Sequence, residues 1–91
     1  MIKILANDGI DPIGKKLLEE AGFVVDTETV PQDQLVEALK NYDGITVRSA
    51  TKLRKELIDQ VPNLKLIGRG GVGMDNIDVE YARSKGIAVV N

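Results

Sequence analysis

Two arginines and a glycine-rich turn carry the clearest chemistry in this sequence. Arg48 opens the stretch "RSATK" and Arg69 lies inside "GRGGVG", each at or just past the end of an apolar, β-branched run. A guanidinium group presents its N–H donors as a planar fork that matches carboxylate and phosphate oxygens. If the two runs are neighbouring strands, both arginines can converge on one anion. Ser49, Thr51 and Lys52 would then be further donors, and the amides of Gly70, Gly71, Val72 and Gly73 would line the floor. The expected guest is a small phosphorylated or carboxylated molecule. The plainer alternative is that each arginine pairs with a surface carboxylate.

The glycines Gly68, Gly70 and Gly73 also fit the spacing G-x-G-x-x-G. A dinucleotide turn follows the first strand of its own βαβ unit, and an acidic residue about 20 residues on takes the ribose hydroxyl. Here the turn follows the fourth strand-like run, and Val90 and Asn91 stand where the acid should be. The turn is therefore expected to cradle another anion. Glycines let backbone amides approach a ligand, and a short helix is expected just beyond them.

A third group, Asn7, Asp8 and Asp11, gives the first strand an acidic mouth. Receiver domains of two-component signalling place acids there for magnesium and accept phosphate on an aspartate ending strand three. Strand three here ends in Val47 and Arg48, and no lysine ends strand five, so Asp8 and Asp11 are read as capping and turn residues. Asp75 and Asn76 are expected to close the glycine turn through hydrogen bonds to their own backbone.

The elements that must position these groups follow from periodicity. "IKILA", "FVVD", "GITV", "LKLIG" and "GIAVV" are short apolar runs of the kind found in buried parallel strands. The first helix has Asp11 as N-cap, Pro12 at its first position and Gly22 just past its end, with Ile13, Leu17, Leu18 and Ala21 on one face. "PQDQLVEALKNYDG" predicts a helix with Leu35, Val36, Leu39 and Tyr42 on a stripe. "TKLRKELIDQVP" predicts another with Leu53, Leu57, Ile58 and Val61, stopped by Pro62. Asp78 is placed to cap the fourth helix, Ile77 to staple against Ala82, and Gly86 to end it. The lysines and glutamates of "KKLLEE" and "KLRKELIDQ" read as solvated helix faces, with pairs such as Lys15 and Glu19, and no function is assigned to them.

Strand and helix thus alternate without linker or repeat, predicting an α/β, flavodoxin-like, doubly wound parallel five-stranded sheet in the order 2-1-3-4-5. It lacks the final helix that usually follows the last strand. One face of the sheet is then left with a single helix, and self-association through that face, giving a homo-oligomer, is expected.

Composition narrows the function. Ninety-one residues make one domain, burying about 60–65% of the unfolded surface. Net charge is −2 from 12 basic and 14 acidic residues, which argues against nucleic acid or a membrane surface as partner. Histidine and cysteine are both absent, removing disulfides, thiolate chemistry, most zinc sites and the commonest general base. With no signal peptide or membrane-length apolar run, the expected compartment is the cytoplasm.

"VRSATK", followed about twenty residues later by "GRGGVGMDNIDVEYARSKGIAVVN", resembles the D-isomer-specific 2-hydroxyacid dehydrogenases, specifically the branch acting on 3-phosphoglycerate. The likeness runs from "KILANDGIDPIGKKLLEEAG" to the final "VVN". It implies that residues 1–91 are the N-terminal segment of a split flavodoxin-like substrate-binding domain, with the nucleotide-binding domain elsewhere in a longer protein. It implies that Arg48, Ser49 and Arg69 contact the substrate's phosphate side. The amides around Gly71, Val72 and Gly73 would hold its carboxylate, and Asn76 would support that loop from the helix start. The implied parent uses NAD and carries its catalytic histidine, glutamate and arginine outside this chain. The chain alone is expected neither to bind NAD in the family's manner nor to catalyse the oxidation. A reading from another class is a stand-alone, self-associating half-domain that binds without catalysing.

Overall fold

The computed structural model of the protein describes residues 2–70 and 75–90. Strands β1 (Lys3–Ala6), β2 (Val24–Asp26), β3 (Gly44–Val47), β4 (Leu66–Arg69) and β5 (Ala88–Val90) form one parallel sheet in the order β2-β1-β3-β4-β5. This is the flavodoxin-like order the alternation predicts. Pairing of Val47 with Arg69 brings the ends of β3 and β4 level, so Arg48 and Arg69 emerge at the same edge.

Side chains alternate across the sheet, and one face carries the core. Leu5, Ile45, Val47, Ile67 and Val89 pack there with Leu35, Leu39, Leu57, Ile58, Val61, Ile77 and Ala82. These come from α2 (Leu35–Leu39), α3 (Lys55–Gln60), α4 (Val79–Ser84) and their flanks. Right-handed crossovers put α1 (Pro12–Glu20) alone on the opposite face, because only the step from β1 to β2 runs the other way. Beyond β1 and β2 that face is open, and Ala88 and Val90 of β5 are exposed.

The caps of α1 are those expected. Asp11 accepts from the Ile13 amide at 2.8 Å, and Pro12 opens the helix. At the other end Gly22 takes φ 97°, and the amides of Phe23 and Gly22 close on the Leu18 and Glu19 carbonyls at 3.0 Å each. Gly86 ends α4 with the same pair of bonds, to Ala82 and Arg83. Lys15 and Glu19 pair at 3.0 Å on the solvated side. The apolar face of α1 differs from the expectation: Ile13 is 71% and Leu17 61% exposed, and α1 contributes no buried residue. Periodicity marks which side chains share a stripe, but of this one only Leu18 is half-buried, while Ile13 and Leu17 are left exposed.

Two helices are shorter than their sequence patterns. α2 begins with a 3-10 turn over Gln32–Gln34 that no side chain caps, and the Asn63 amide nitrogen takes up the Leu39 and Tyr42 carbonyls at 2.8 and 2.7 Å. The helix therefore ends at Leu39, although Leu35 and Leu39 are fully buried as the stripe predicts. α3 starts only at Lys55, because Leu53 is held in a parallel bridge to Ile77. That bridge lays Asp78 across the start of α3. Its carboxylate caps Lys55 N at 2.8 Å and pairs with Arg54 at 3.3 Å, and makes no side-chain cap on α4. Ile77 and Ala82 are both in the core, as a staple requires.

Tyr42 ties the end of α2 to β2 by donating to Asp26 at 2.5 Å. Burial first, then this bond and the nearby charges of Asp26 and Glu28, push its phenol from 10.0 up to about 12. Because the folded value lies above the unfolded one, the stabilisation is complete below pH 10 and is lost as pH rises towards 12. Thermal melts of the protein and of Tyr42→Phe should therefore converge over that interval. A constant gap between them would show that the phenol titrates alike in both states.

Candidate functional site

Three polar residues are buried among the described residues, Asn7, Thr51 and Asn76, and all three lie where the loops after β1, β3 and β4 meet. Buried polar groups need partners, and here they partner one another. Asp8 accepts from the amides of Arg48 and Thr51 at 2.7 and 3.1 Å and from the Thr51 hydroxyl at 2.6 Å. That hydroxyl accepts in turn from the Asn7 amide nitrogen at 2.9 Å, whose oxygen takes the Val30 amide at 2.6 Å. Asn76 donates to the carbonyls of Arg48 and Thr51 at 2.7 and 2.6 Å, and accepts from Arg69 Nε at 3.0 Å. One carboxamide thus fixes the loop after β3 and the direction of the Arg69 guanidinium.

This arrangement changes three expectations. Thr51 is not a donor waiting for a ligand, since its hydroxyl is buried between Asp8 and Asn7. Asp8 holds a loop 40 residues away rather than its own turn. Asn76 reaches across to the β3 loop and to Arg69 instead of its own backbone. Asp11, by contrast, is the predicted cap. Sequence reasoning passed over Asn7 and Asp8 as positioning groups. The available signal was a polar pair placed directly after an apolar strand, on the first strand of a fold whose ligands gather at strand ends.

Around this scaffold the groups expected to face a ligand are accessible. Arg48 and Ser49 are exposed, and among the described residues the Arg48 guanidinium and the Lys52 ammonium have no hydrogen-bond or ion-pair partner. The Arg48 side chain lies along Gly70, where an added Cβ would sit 3.8 Å from both Cγ and Nε. Arg69 Nη1 donates to the Gly70 carbonyl at 2.9 Å. Both arginines therefore meet at Gly70. A hollow of about 480 Å³ beside them is bordered by Arg48, Arg69, Gly70, Gly68, Thr46 and Val90. A second, of about 270 Å³, is lined by Ser49, Lys52, Arg54, Arg69, Asp75 and Asn76. Gly71, Val72 and Gly73 lie outside the described residues.

Two features of the described residues differ from a dinucleotide-binding turn. The glycine turn leaves β4 rather than a first strand, and Val90 occupies the place of the ribose-binding acid. No cluster of His, Cys, Asp or Glu able to hold a metal occurs among them. Nor is any of their helices long and apolar enough to cross a membrane.

Residues 4–91 match the model of the D-isomer specific 2-hydroxyacid dehydrogenase, catalytic domain. The chain belongs to that family. It is 46% identical over 91 residues to a D-3-phosphoglycerate dehydrogenase of Methanocaldococcus jannaschii, covering 100% of this chain and 17% of that protein. Among solved structures, a Pyrococcus horikoshii protein superposes with TM-score 0.86 at 28% identity, over 98% of this chain and 27% of the other. A 3-phosphoglycerate dehydrogenase of Entamoeba histolytica with NAD+ bound gives 0.75 at 30%, over 97% and 32%. The chain spans about a sixth of the length of this and other curated D-3-phosphoglycerate dehydrogenases it matches, and the family match takes in both arginine loops.

Scaffold and ligand-facing roles separate by stability. Asn76→Ala removes the bonds to the Arg48 and Thr51 carbonyls and the one from Arg69 Nε and should cost about 3 kcal/mol, whereas Arg48→Ala removes an exposed side chain and should cost less than about 0.5 kcal/mol. Urea unfolding of the two variants checks this. Equal losses would mean that Arg48 is structural.

Proposed function

We propose that this chain is the substrate-binding segment of a cytoplasmic, NAD-dependent D-3-phosphoglycerate dehydrogenase, which oxidises 3-phosphoglycerate to 3-phosphohydroxypyruvate for serine synthesis. The observation that carries the reading is the meeting of Arg48 and Arg69 at Gly70, in a chain 46% identical to such an enzyme along its whole length. In this reading Arg48, Ser49 and Arg69 bind the phosphate side of the substrate. Gly70, Gly71, Val72 and Gly73 offer amides to its carboxylate, and Asn76 keeps Arg69 and the β3 loop in place. The network of Asn7, Asp8, Thr51 and Asn76 supports it, because donors fixed before binding lose little freedom when the anion arrives.

NAD enters only through the parent protein. The residues of this chain do not fit it, and no histidine is present to exchange a proton with the hydroxyl. The chain by itself therefore binds substrate without oxidising it. As one wall of a cleft it buries little of the ligand, and the expected affinity is millimolar, on the order of −4 kcal/mol.

A second reading, a module that self-associates through the open face, is favoured by the exposure of Ile13, Leu17 and Val90 on or beside that face. Sedimentation over a wide concentration range separates the two readings. A monomer at every concentration rejects the self-associating module and leaves the substrate reading intact.

The direct test is an amide NMR titration with 3-phosphoglycerate and, separately, with NAD. Shifts at Arg48, Ser49 and Gly70 with the phosphoacid, and none there with NAD, are expected. Shifts at the glycine turn with NAD would reverse the assignment of that turn.

A further inference from the structure

Between β3 and the bridge at Leu53 the chain forms neither helix nor strand, and its backbone is held by side chains from elsewhere. Asp8 takes the amides of Arg48 and Thr51, and Asn76 donates to both of their carbonyls. A third side chain completes the set. Gln32, in the turn that leads into α2, accepts from the Lys52 amide at 2.9 Å and donates to the Lys52 carbonyl at 2.8 Å. Arg48, Thr51 and Lys52 thus each have both backbone groups bound by side chains of other elements, and Lys52 relies on Gln32 for the two together.

Gln32 is itself anchored. Asn7 grips Val30 in the same two-bond manner, accepting from its amide at 2.6 Å and donating to its carbonyl at 3.1 Å. Pro31, at φ −58°, is the stiff link between the two clamps. The Asn7 nitrogen also donates to the Thr51 hydroxyl at 2.9 Å, which closes a ring through Val30, Gln32, Lys52, Thr51 and Asn7. The chain after β2 is therefore tied to the chain after β3 on the side that Asn76 does not reach. Gln32 borders neither hollow, whereas Lys52, whose backbone it holds, lines the smaller one. Both of its bonds are exposed to solvent, unlike the buried bond from Asn76 to Thr51, so this hold is the one that opens first.

We propose that Gln32 is a positioning residue of the anion site: without touching the ligand, it sets affinity by keeping the loop that carries Arg48 and Ser49 in its binding form. The inference rests on the proposed substrate and adds the segment after β2 to the parts that prepare its site. When the clamp opens, the binding form becomes a fraction of the population, and apparent affinity falls by that fraction. By reciprocity, a bound anion closes the loop again even where the clamp is missing.

The test compares the unaltered chain with Gln32→Met, which keeps the length of the side chain and loses both bonds, and with Gln34→Met, two positions on. Gln34 makes no side-chain cap on α2. Amide hydrogen exchange and 3-phosphoglycerate affinity are both read by NMR at constant ionic strength. In Gln32→Met the Lys52 amide should exchange about tenfold faster and the phosphoacid should bind about fivefold more weakly. Excess phosphoacid should slow that exchange again, which a purely structural contact would not allow, and Gln34→Met should match the unaltered chain. Faster exchange at Lys52 with undiminished affinity would overturn the positioning role and leave the proposed substrate standing. Unchanged exchange in Gln32→Met, or equal weakening by Gln34→Met, would overturn it too. If the phosphoacid perturbs none of Arg48, Ser49 and Gly70 in the unaltered chain, the proposed substrate falls and the role of Gln32 in binding it falls as well.

Discussion

Everything at the strand ends depends on how the buried carboxamide of Asn76 is satisfied. Its two donors and its acceptor are matched by Arg48 O, Thr51 O and Arg69 Nε, three groups from two different loops. A buried polar group without partners costs roughly 1–3 kcal/mol, so this side chain is stable in one arrangement of the loops. Asp8 and Asn7 enforce the same arrangement from the far side, through the amides of Arg48 and Thr51 and the Thr51 hydroxyl. The reversal of strand order between β1 and β3 makes this possible, since it brings the loop after the first strand against the loop after the third. Fold topology and site geometry are therefore linked by one polar network.

That network divides the polar residues into two populations with opposite requirements. Asn7, Thr51 and Asn76 are buried and fully engaged, so they fix position and have nothing left to offer a ligand. Arg48 and Lys52 are exposed, and their guanidinium and ammonium groups have no partner among the described residues, so those donors stay available for an anion. Arg69 belongs to both groups: Asn76 and the Gly70 carbonyl orient it, and both hollows touch it. An anion bound there meets a guanidinium whose direction is already set, and the entropy of ordering that long side chain is lost in folding rather than in binding.

The sheet, its strand order, the ends of α1 and α4 and the buried stripe of α2 were legible because each rests on local rules: alternation, an Asp-Pro start, a glycine stop. What escaped was nonlocal. The start of α3 depends on the bridge between Leu53 and Ile77, and Asp78 caps α3 rather than α4 because that bridge carries it there. No window of neighbouring residues contains both partners. The same holds for Asp8 with Thr51, 43 positions apart, and for Asn76 with Arg48, 28 apart. The arginines and the glycine turn could be singled out from residue type alone, whereas the groups that aim them could not. Residue type tells what a side chain can bind, and only the fold tells what it is already binding.

The open face and the proposed anion site are also less separate than their chemistry suggests. Parallel sheets are normally covered on both faces, yet three helices pack on one face here and one on the other. The uncovered part, around Gly68 and Val90, runs directly into the hollow where Arg48 and Arg69 meet at Gly70. A layer placed over that apolar surface would become a wall of the hollow at the same time. It would exclude water from the apolar face and lower the dielectric around the guanidinium groups in one step, and electrostatic contacts strengthen as water leaves. Burial of the second sheet face and the strength of the proposed anion binding are thus coupled through shared residues.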